Sequence, residues 1–269
     1  MEINRENIFK IVSIADVKPD KDYGQNFLVD PEISKRIVNS LNITAGDCVI
    51  EIGPGLGSLT HFLSSYNNET AVVDIDIRMI MFLKGAYQNS NIVLVHNDIR
   101  KIDVSNYTKV IGNLPYNITT ELIQYFLINA RSAKRMVFMI QNETFAHFYD
   151  TTGKEYGPTS VLIHLLGNIE RLFTVKAGSF YPAPKCNSVV FAINLDARVD
   201  RFAAIDAFKL AKQLFINRRK TIQNNLNNYL KNKDLALDVC NSLGINPLSR
   251  PEQLSPEMYL RISEFLKNK

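Results

Sequence analysis

The sequence predicts an α/β protein with a doubly wound parallel sheet, followed by a small α-helical domain. Short apolar segments of strand length alternate with amphipathic segments of helical period from Asp30 to about Asp196. This alternation is typical of a parallel sheet. A glycine-rich turn follows the first strand of the series, and beyond Arg201 only helical segments interrupted by glycine and proline remain. We therefore expect one domain over residues 1–200 and a second over residues 201–269.

Local patterns predict the elements of the first domain in order. Asp30-Pro31 supplies an N-cap and a proline suited to the first helical position, and apolar residues then recur at helical spacing. Strands are expected at 47–52, 70–74, 92–95, 109–112, 135–140, 171–177 and 188–195. Helices are expected between them, around 59–63, 80–86 and 120–130.

Composition excludes several classes of protein. The 269 residues are 46% hydrophobic, which is enough for a full core. The sequence has no run of eighteen apolar residues, and its first residues do not resemble a secretory signal, so we expect a cytoplasmic protein. The three cysteines lack disulfide or metal-ligand spacing, and we expect neither disulfides nor a metal site.

Charge is distributed unevenly along the chain. Residues 1–200 carry 19 Lys/Arg against 21 Asp/Glu, whereas residues 201–269 carry 12 against 6. A localised positive field attracts polyanions, so nucleic acid is the favoured partner of the second domain. An anionic membrane surface and a merely solvated helical face are the alternatives. The densest cluster, Arg218-Arg219-Lys220, is suited to phosphate contacts that position RNA without reading its sequence.

The segment Glu51–Gly57, which reads EIGPGLG, lies between a predicted strand and a predicted helix. Glycines such as Gly53 and Gly55 let the backbone approach a ligand, and a following helix presents unpaired N–H groups. The spacing differs from the dinucleotide pattern G-x-G-x-x-G. Asp74 ends the next strand, where a carboxylate can bind both ribose hydroxyls. Asp98 follows the third strand and suits an adenine amino group. Together these positions predict a nucleoside cofactor.

Asn113-Leu114-Pro115-Tyr116 ends the fourth predicted strand, at the sheet edge where ligands bind. An exocyclic aromatic amine is a poor nucleophile because its lone pair is delocalised into the ring. The Asn113 side-chain carbonyl and the Leu114 backbone carbonyl can accept its two hydrogens and direct the lone pair at an electrophilic methyl group. Pro115 stiffens the turn, and Tyr116 offers a face for base stacking. This motif predicts methyl transfer to an adenine amine.

The chain resembles the KsgA (RsmA) family of ribosomal RNA adenine dimethyltransferases over nearly its whole length. The motifs that carry the resemblance are Gly24-Gln25-Asn26-Phe27-Leu28, the glycine turn, Asn113–Tyr116, Tyr156-Gly157 with Ser160-Val161, Phe180-x-Pro182-x-Pro184-Lys185 and Phe215-x-x-Arg218-Arg219-Lys220-Thr221. The resemblance implies a class I (Rossmann-like) methyltransferase fold. It also implies dimethylation by S-adenosylmethionine of two neighbouring adenines in the 3′-terminal hairpin of small-subunit (16S) ribosomal RNA. The expected partner is this RNA, within a partly assembled 30S subunit, and the expected state is a monomer.

The resemblance also assigns roles to residues of this sequence. It implies that the cofactor is bound by Asn26, Leu28, Gly53, Gly55, Asp74, Asp98 and Asn113. It further implies that Phe180 stacks on the target base opposite Tyr116. The family commonly has glutamate where this chain has Asp74, so the carboxylate is one methylene shorter here.

Four other functions compete with this interpretation. An Erm-type large-subunit RNA methyltransferase is the nearest, although Leu114 and the Arg-Arg-Lys cluster are more typical of the biogenesis enzyme. A DNA adenine methyltransferase would usually have Pro-Pro-Tyr or Pro-Pro-Trp after its Asp or Asn. A non-catalytic RNA-binding factor is a third alternative, which the intact Asn113, Tyr116, Gly53 and Asp74 disfavour. A dehydrogenase is disfavoured by the spacing of the glycines.

Overall fold

The computed structural model of the protein describes residues 2–15, 26–88, 90–115, 117–196 and 198–269. Three motif residues named above, Gly24, Gln25 and Tyr116, lie outside these ranges. The described helices are α1 Ile8–Ile14, α2 Pro31–Asn39, α3 Thr60–Leu63, α4 Ile77–Ala86, α5 Thr119–Asn129, α6 Ala146–Tyr149, α7 Pro158–Leu166, α8 Arg201–Leu214, α9 Ile222–Leu230, α10 Lys233–Leu243 and α11 Pro256–Lys267. The strands are β1 Phe27–Leu28, β2 Val49–Ile52, β3 Thr70–Asp74, β4 Ile92–His96, β5 Lys109–Asn113, β6 Arg135–Gln141, β7 Gly167–Val175, β8 Phe180–Tyr181 and β9 Ser188–Leu195.

Seven strands form one sheet in the order β4-β3-β2-β5-β6-β9-β7. The pairs from β4 to β6 are parallel, as predicted. The pair β6–β9 is antiparallel, with Phe138 opposite Phe191, so the expectation of a wholly parallel sheet is corrected at this edge. Strand direction cannot be derived from apolar periodicity, because a buried strand has the same pattern in either direction.

The centre of the sheet is buried on both faces. All four residues of β2 are buried, and Met136–Ile140 in β6 are fully excluded from solvent. Such continuous apolar strands are typical of sheets covered by helices on both sides. Helix α2 begins as predicted, because the Asp30 carboxylate accepts a hydrogen bond from the Ile33 N–H at 3.2 Å. No described helix is long and apolar enough to span a bilayer.

The chain divides into two compact units. The first comprises Met1–Glu143 and Glu170–Asn194, and the second comprises Thr144–Ile169 and Leu195–Lys269. The second unit therefore takes in α6 and α7, which the sequence assigns to the first domain, and resumes at Leu195. Helix α7 buries most of its residues and packs against α8 and α11, which explains this grouping. Helices α1 and α7 are not among those that the sequence predicts.

Candidate active site

The glycine turn adopts a backbone that requires glycine. Gly53, Gly55 and Gly57 have φ angles of 59°, 54° and 92°, in the left-handed region that other residues rarely adopt. A Cβ atom on Gly57 would lie 2.6 Å from Leu83 Cδ2, whereas a Cβ on Gly53 would meet nothing within 4 Å. Gly57 is therefore required for packing against α4, and Gly53 presents bare backbone to open space.

Glu51, just before this turn, is a buried carboxyl group. The Thr60 hydroxyl donates a hydrogen bond to Glu51 Oε2 at 2.7 Å, which joins β2 to the start of α3. The two side chains are 1% and 0% exposed. Burial, opposed by the Thr60 hydrogen bond and reinforced by the nearby Asp74 carboxyl, raises the pKa of Glu51 from 4.5 to about 8. Glu51 thus stabilises the glycine turn through its bond to Thr60. It also places a neutral carboxyl group beside the turn at pH 7.

Asp74 ends β3 next to the turn. Its Oδ1 accepts a hydrogen bond from the Asp76 N–H at 2.8 Å, and its backbone carbonyl accepts one from the Asn97 N–H at 3.1 Å. Burial raises the pKa of Asp74 to about 6, and hydrogen bonds from the Asp76 and Gly55 backbones limit the rise. The carboxylate is held at the strand end, in contact with the glycine turn.

Asp98 follows β4, and its carboxylate is held by Arg100. Its Oδ1 accepts a hydrogen bond from the Arg100 N–H at 3.0 Å, and the Arg100 guanidinium contacts both carboxylate oxygens. Arg100 also pairs with Glu121 at 2.6 Å. The hydrogen bond and charge of Arg100 hold the pKa of Asp98 below its ordinary value. The side chain therefore remains an ionised acceptor, fixed by an arginine that sequence analysis did not assign to the site.

The Asn113–Pro115 segment ends β5 with two oxygen acceptors. Asn113 is half-buried, and its Nδ2 donates a hydrogen bond to the Asn26 carbonyl at 3.4 Å, which leaves Oδ1 as an acceptor. The Leu114 N–H bonds to the Met139 carbonyl at 3.0 Å. Among the described residues, nothing donates a hydrogen bond to the Leu114 carbonyl. Both oxygens can therefore accept hydrogen bonds, and their pairing with an amino group stays a prediction.

These strand ends share one cavity of about 310 Å³, a volume within the range of small-molecule sites. The predicted residues that line it are Asn26, Leu28, Gly53, Gly55, Asp74, Asp98, Asn113, Leu114 and Pro115. The sequence did not identify Ile3, Phe27 or Arg100 as lining residues. Arg100 could have been suspected from its position two residues after Asp98, whereas no sequence signal identifies Ile3.

The cavity fits S-adenosylmethionine. Glu51 and Asp74 place one buried and one half-buried carboxyl group at the glycine turn, and neither has a hydrogen bond or ion pair to a described lysine or arginine. A ligand with positive charge and ribose hydroxyls can donate hydrogen bonds to the oxygens of both carboxyl groups. Three or more described His, Cys, Asp or Glu residues do not come together in a group that could hold a metal ion.

Phe180 lies in an apolar cluster of the first unit. Its ring is 4% exposed and packs in an apolar cluster with residues such as Leu28 and Val190. It does not line the cavity, among the residues that the structure describes. Strand β8 pairs antiparallel with β1, and because side chains alternate across a strand, Phe180 faces inward while Tyr181 is half-exposed. The ring therefore packs in the apolar core, and the stacking on a base that the resemblance implies stays a prediction.

The three residues of the basic cluster in the second unit, Arg218, Arg219 and Lys220, differ in their contacts. Arg218 donates a hydrogen bond to the Gly153 carbonyl at 3.1 Å and lies 3.9 Å from the Glu252 carboxylate. Its guanidinium also lies over the Phe215 ring. Arg219 and Lys220 are exposed and have no ion pair with any described residue. Arg218 consequently connects two loops of the unit, whereas its two neighbours present their charges to solvent.

Comparison with known proteins agrees with this geometry. The family model described as "Ribosomal RNA adenine dimethylase" matches residues 17–268. A protein named "Ribosomal RNA small subunit methyltransferase A" from Neisseria gonorrhoeae is 37% identical over 94% of this chain and 98% of its own length. The protein of the same name from Malacoplasma penetrans is 34% identical over 89% of each chain.

Solved structures share the fold. A dimethyladenosine transferase from Plasmodium falciparum superposes with a TM-score of 0.75 and 26% identity, over 90% of this chain and 98% of its own. The 23S rRNA methyltransferase ErmE superposes with a TM-score of 0.68 at 22% identity, over 90% and 100% of the two chains, which shows a common fold. The fold is that of the class I methyltransferases, as the sequence predicts. With a family model that matches nearly the whole sequence, the chain belongs to the ribosomal RNA adenine dimethylase family.

Proposed function

We propose that this enzyme transfers methyl groups from S-adenosylmethionine to N6 of two adjacent adenines in the 3′-terminal hairpin of small-subunit (16S) ribosomal RNA, as a step in small-subunit biogenesis. The observation that carries the proposal is the pair of acceptors at the end of β5, Asn113 Oδ1 and the Leu114 carbonyl, in the same cavity as the glycine turn. The names of the relatives that share over 30% identity support the small subunit as the source of the RNA.

The ends of strands β2, β3 and β4 form the cofactor end of the cavity. S-adenosylmethionine supplies, when bound, a methyl group on a positively charged sulfur. Gly53 lets the backbone approach the amino-acid portion, with Gly55 beside it. Asp74 accepts hydrogen bonds from the ribose hydroxyls, and Asp98 accepts one from the adenine amino group. Asn26 and Leu28 close the cavity from β1 and the residue before it.

At the target end, Asn113 and Leu114 orient the adenine. Each of their two oxygens accepts one N6–H, so the lone pair is turned out of the ring plane toward the methyl carbon. Pro115 stiffens the turn, and Tyr116, outside the described residues, is proposed to stack on the base. The chain needs no general base, because the methylated amine loses its proton to water. After the first transfer one N–H remains, and its hydrogen bond at this end of the cavity aligns N6 for the second.

The second unit is proposed to position the RNA. Arg219 and Lys220 neutralise phosphates, while Arg218 contributes by holding the 151–155 loop to Glu252 as well as by its charge. We further propose that one chain acts on a partly assembled 30S subunit in the cytoplasm, since the RNA substrate is found there. Residues 1–200 would then supply the chemistry and residues 201–269 most of the RNA binding.

The test is to map the modification directly. The protein is incubated with methyl-labelled S-adenosylmethionine and with separated ribosomal subunits from a strain that lacks this modification. We expect label in two neighbouring adenines near the 3′ end of the small-subunit RNA, recovered as N6,N6-dimethyladenosine. Label confined to large-subunit RNA would indicate an Erm-type enzyme and overturn the proposal. RNA binding without any transfer would indicate a non-catalytic factor and overturn it as well.

A further inference from the structure

The N-terminal segment, residues 2–15, is not part of any motif identified in the sequence. It contains α1 and packs three buried side chains, Ile3, Ile8 and Ile11, into one apolar cluster. Their exposed fractions are 3%, 2% and 2%. The cluster also contains Phe27 and Leu56. Because Phe27 and Leu56 line the candidate cofactor cavity, the segment packs directly behind that wall.

Ile3 differs from the other two isoleucines because it lines the cavity itself. Ile8 and Ile11 belong to the same cluster and are buried to the same degree, yet they do not line the cavity among the described residues. The Ile3 side chain therefore belongs both to the cluster that contains Leu56 of the glycine turn and to the lining of the space that a ligand would occupy. This position is suited to an apolar contact with a bound cofactor.

Two further contacts hold the segment in place. The Arg5 guanidinium donates a hydrogen bond to the Gly178 carbonyl, just before β8. The Phe9 ring packs edge-on against Tyr181 in β8, with ring centroids 4.9 Å apart. Strand β8 pairs in turn with β1, whose residues Phe27 and Leu28 line the cavity. The segment is thus attached both to the cavity wall and to the strand behind it.

From these contacts we infer that the N-terminal segment is a part of the cofactor site, in which Ile3 covers the glycine-turn wall and slows cofactor dissociation. Ile3 is a contact residue in this site, and Arg5 and Phe9 are positioning residues that act through it. The inference rests on the proposed function, because it takes the cavity to be the S-adenosylmethionine site. Burial of apolar surface against the ligand supplies the affinity, since that surface would otherwise contact water.

The experiment compares Ile3→Ala with Ile8→Ala in the full chain. Both variants remove the same atoms from the same cluster, but only the first removes atoms that line the cavity. The dissociation constant and dissociation rate of S-adenosylhomocysteine are measured by calorimetry and stopped flow, with thermal unfolding as the measure of stability. We expect Ile3→Ala to raise Kd about tenfold, mostly through a faster off-rate, and Ile8→Ala to lower the melting temperature with Kd changed less than about twofold.

A second pair of variants tests the attachment. Phe9→Ala removes the contact with Tyr181, and the matched control Ile14→Ala removes an equally exposed apolar side chain from the same helix. We expect a faster off-rate for Phe9→Ala only. An unchanged Kd in Ile3→Ala, or an equal loss in Ile3→Ala and Ile8→Ala, would overturn the inference. Failure of the wild-type protein to bind S-adenosylhomocysteine would instead overturn the proposed function.

Discussion

Replacing Glu51 with glutamine should change how the stability of the protein depends on pH. The wild-type carboxyl is 1% exposed and hydrogen-bonded to Thr60, and burial is the main reason that its pKa rises from 4.5 to about 8. In the unfolded chain the same group ionises near pH 4.5. The folded state therefore holds a proton that the unfolded state releases, so Glu51 contributes stability below pH 4.5 that is lost as the pH rises to about 8.

The magnitude follows from these two pKa values. The full loss, between pH 4.5 and well above pH 8, is about 5 kcal/mol. Between pH 5.5 and pH 8.0 the loss is about 3 kcal/mol, because the unfolded carboxyl is almost fully ionised over this range while the folded one reaches half-ionisation. Glutamine has nearly the same shape and does not titrate. Glu51→Gln should therefore lack this contribution, while the titration of Asp74 remains in both proteins.

Urea unfolding of the ligand-free protein at pH 5.5 and pH 8.0 measures this difference. The free energy of unfolding of the wild type, relative to Glu51→Gln, should fall by about 3 kcal/mol from the lower to the higher pH. Glu69→Gln, the same substitution at an exposed side chain, is the matched control and should follow the wild-type curve. If wild type and Glu51→Gln changed in parallel with pH, the assignment of a neutral buried carboxyl would be refuted.

Four further predictions concern individual side chains. Asn113→Ala should lower kcat at least about 100-fold with RNA affinity nearly unchanged, because one acceptor of the N6 hydrogens is lost. Single-turnover assays measure the rate and filter binding measures the affinity. Normal turnover would contradict the lone-pair argument. Arg219→Ala should weaken RNA binding and reduce the slope of log K against log salt by about 1. Arg218→Ala should in addition lower thermal stability, since it removes the bond to the Gly153 carbonyl, and equal melting temperatures in the two arginine variants would contradict this difference. Phe180→Leu should change the free energy of unfolding by less than about 1.5 kcal/mol and retain methyl transfer, because the ring is in the core. A stable variant without transfer would show instead that the ring contacts the base.

The agreement between sequence and structure is closest where local chemistry decides the outcome. Strands β3 and β9 have the predicted bounds, and Asp30 caps α2 through a hydrogen bond to a residue three positions away. The cavity was also predictable, because the carboxyl ends of neighbouring parallel strands meet at one sheet edge. Asp74 and Asn113 are 39 positions apart in the sequence, yet each ends a strand and lines the same space.

The sequence by itself therefore determined the class of fold and the glycine turn, and it predicts the acceptors at the strand ends. Only the tertiary structure decided that β9 runs antiparallel, that Phe180 faces the core, that Arg218 bonds to Gly153 and that Ile3 lines the cavity. These outcomes depend on partners far away in the chain, as in the Arg218–Gly153 bond, which joins residues 65 positions apart. Apolar periodicity and motif spacing report on neighbours within a few residues, so they cannot distinguish which distant surface a side chain will meet.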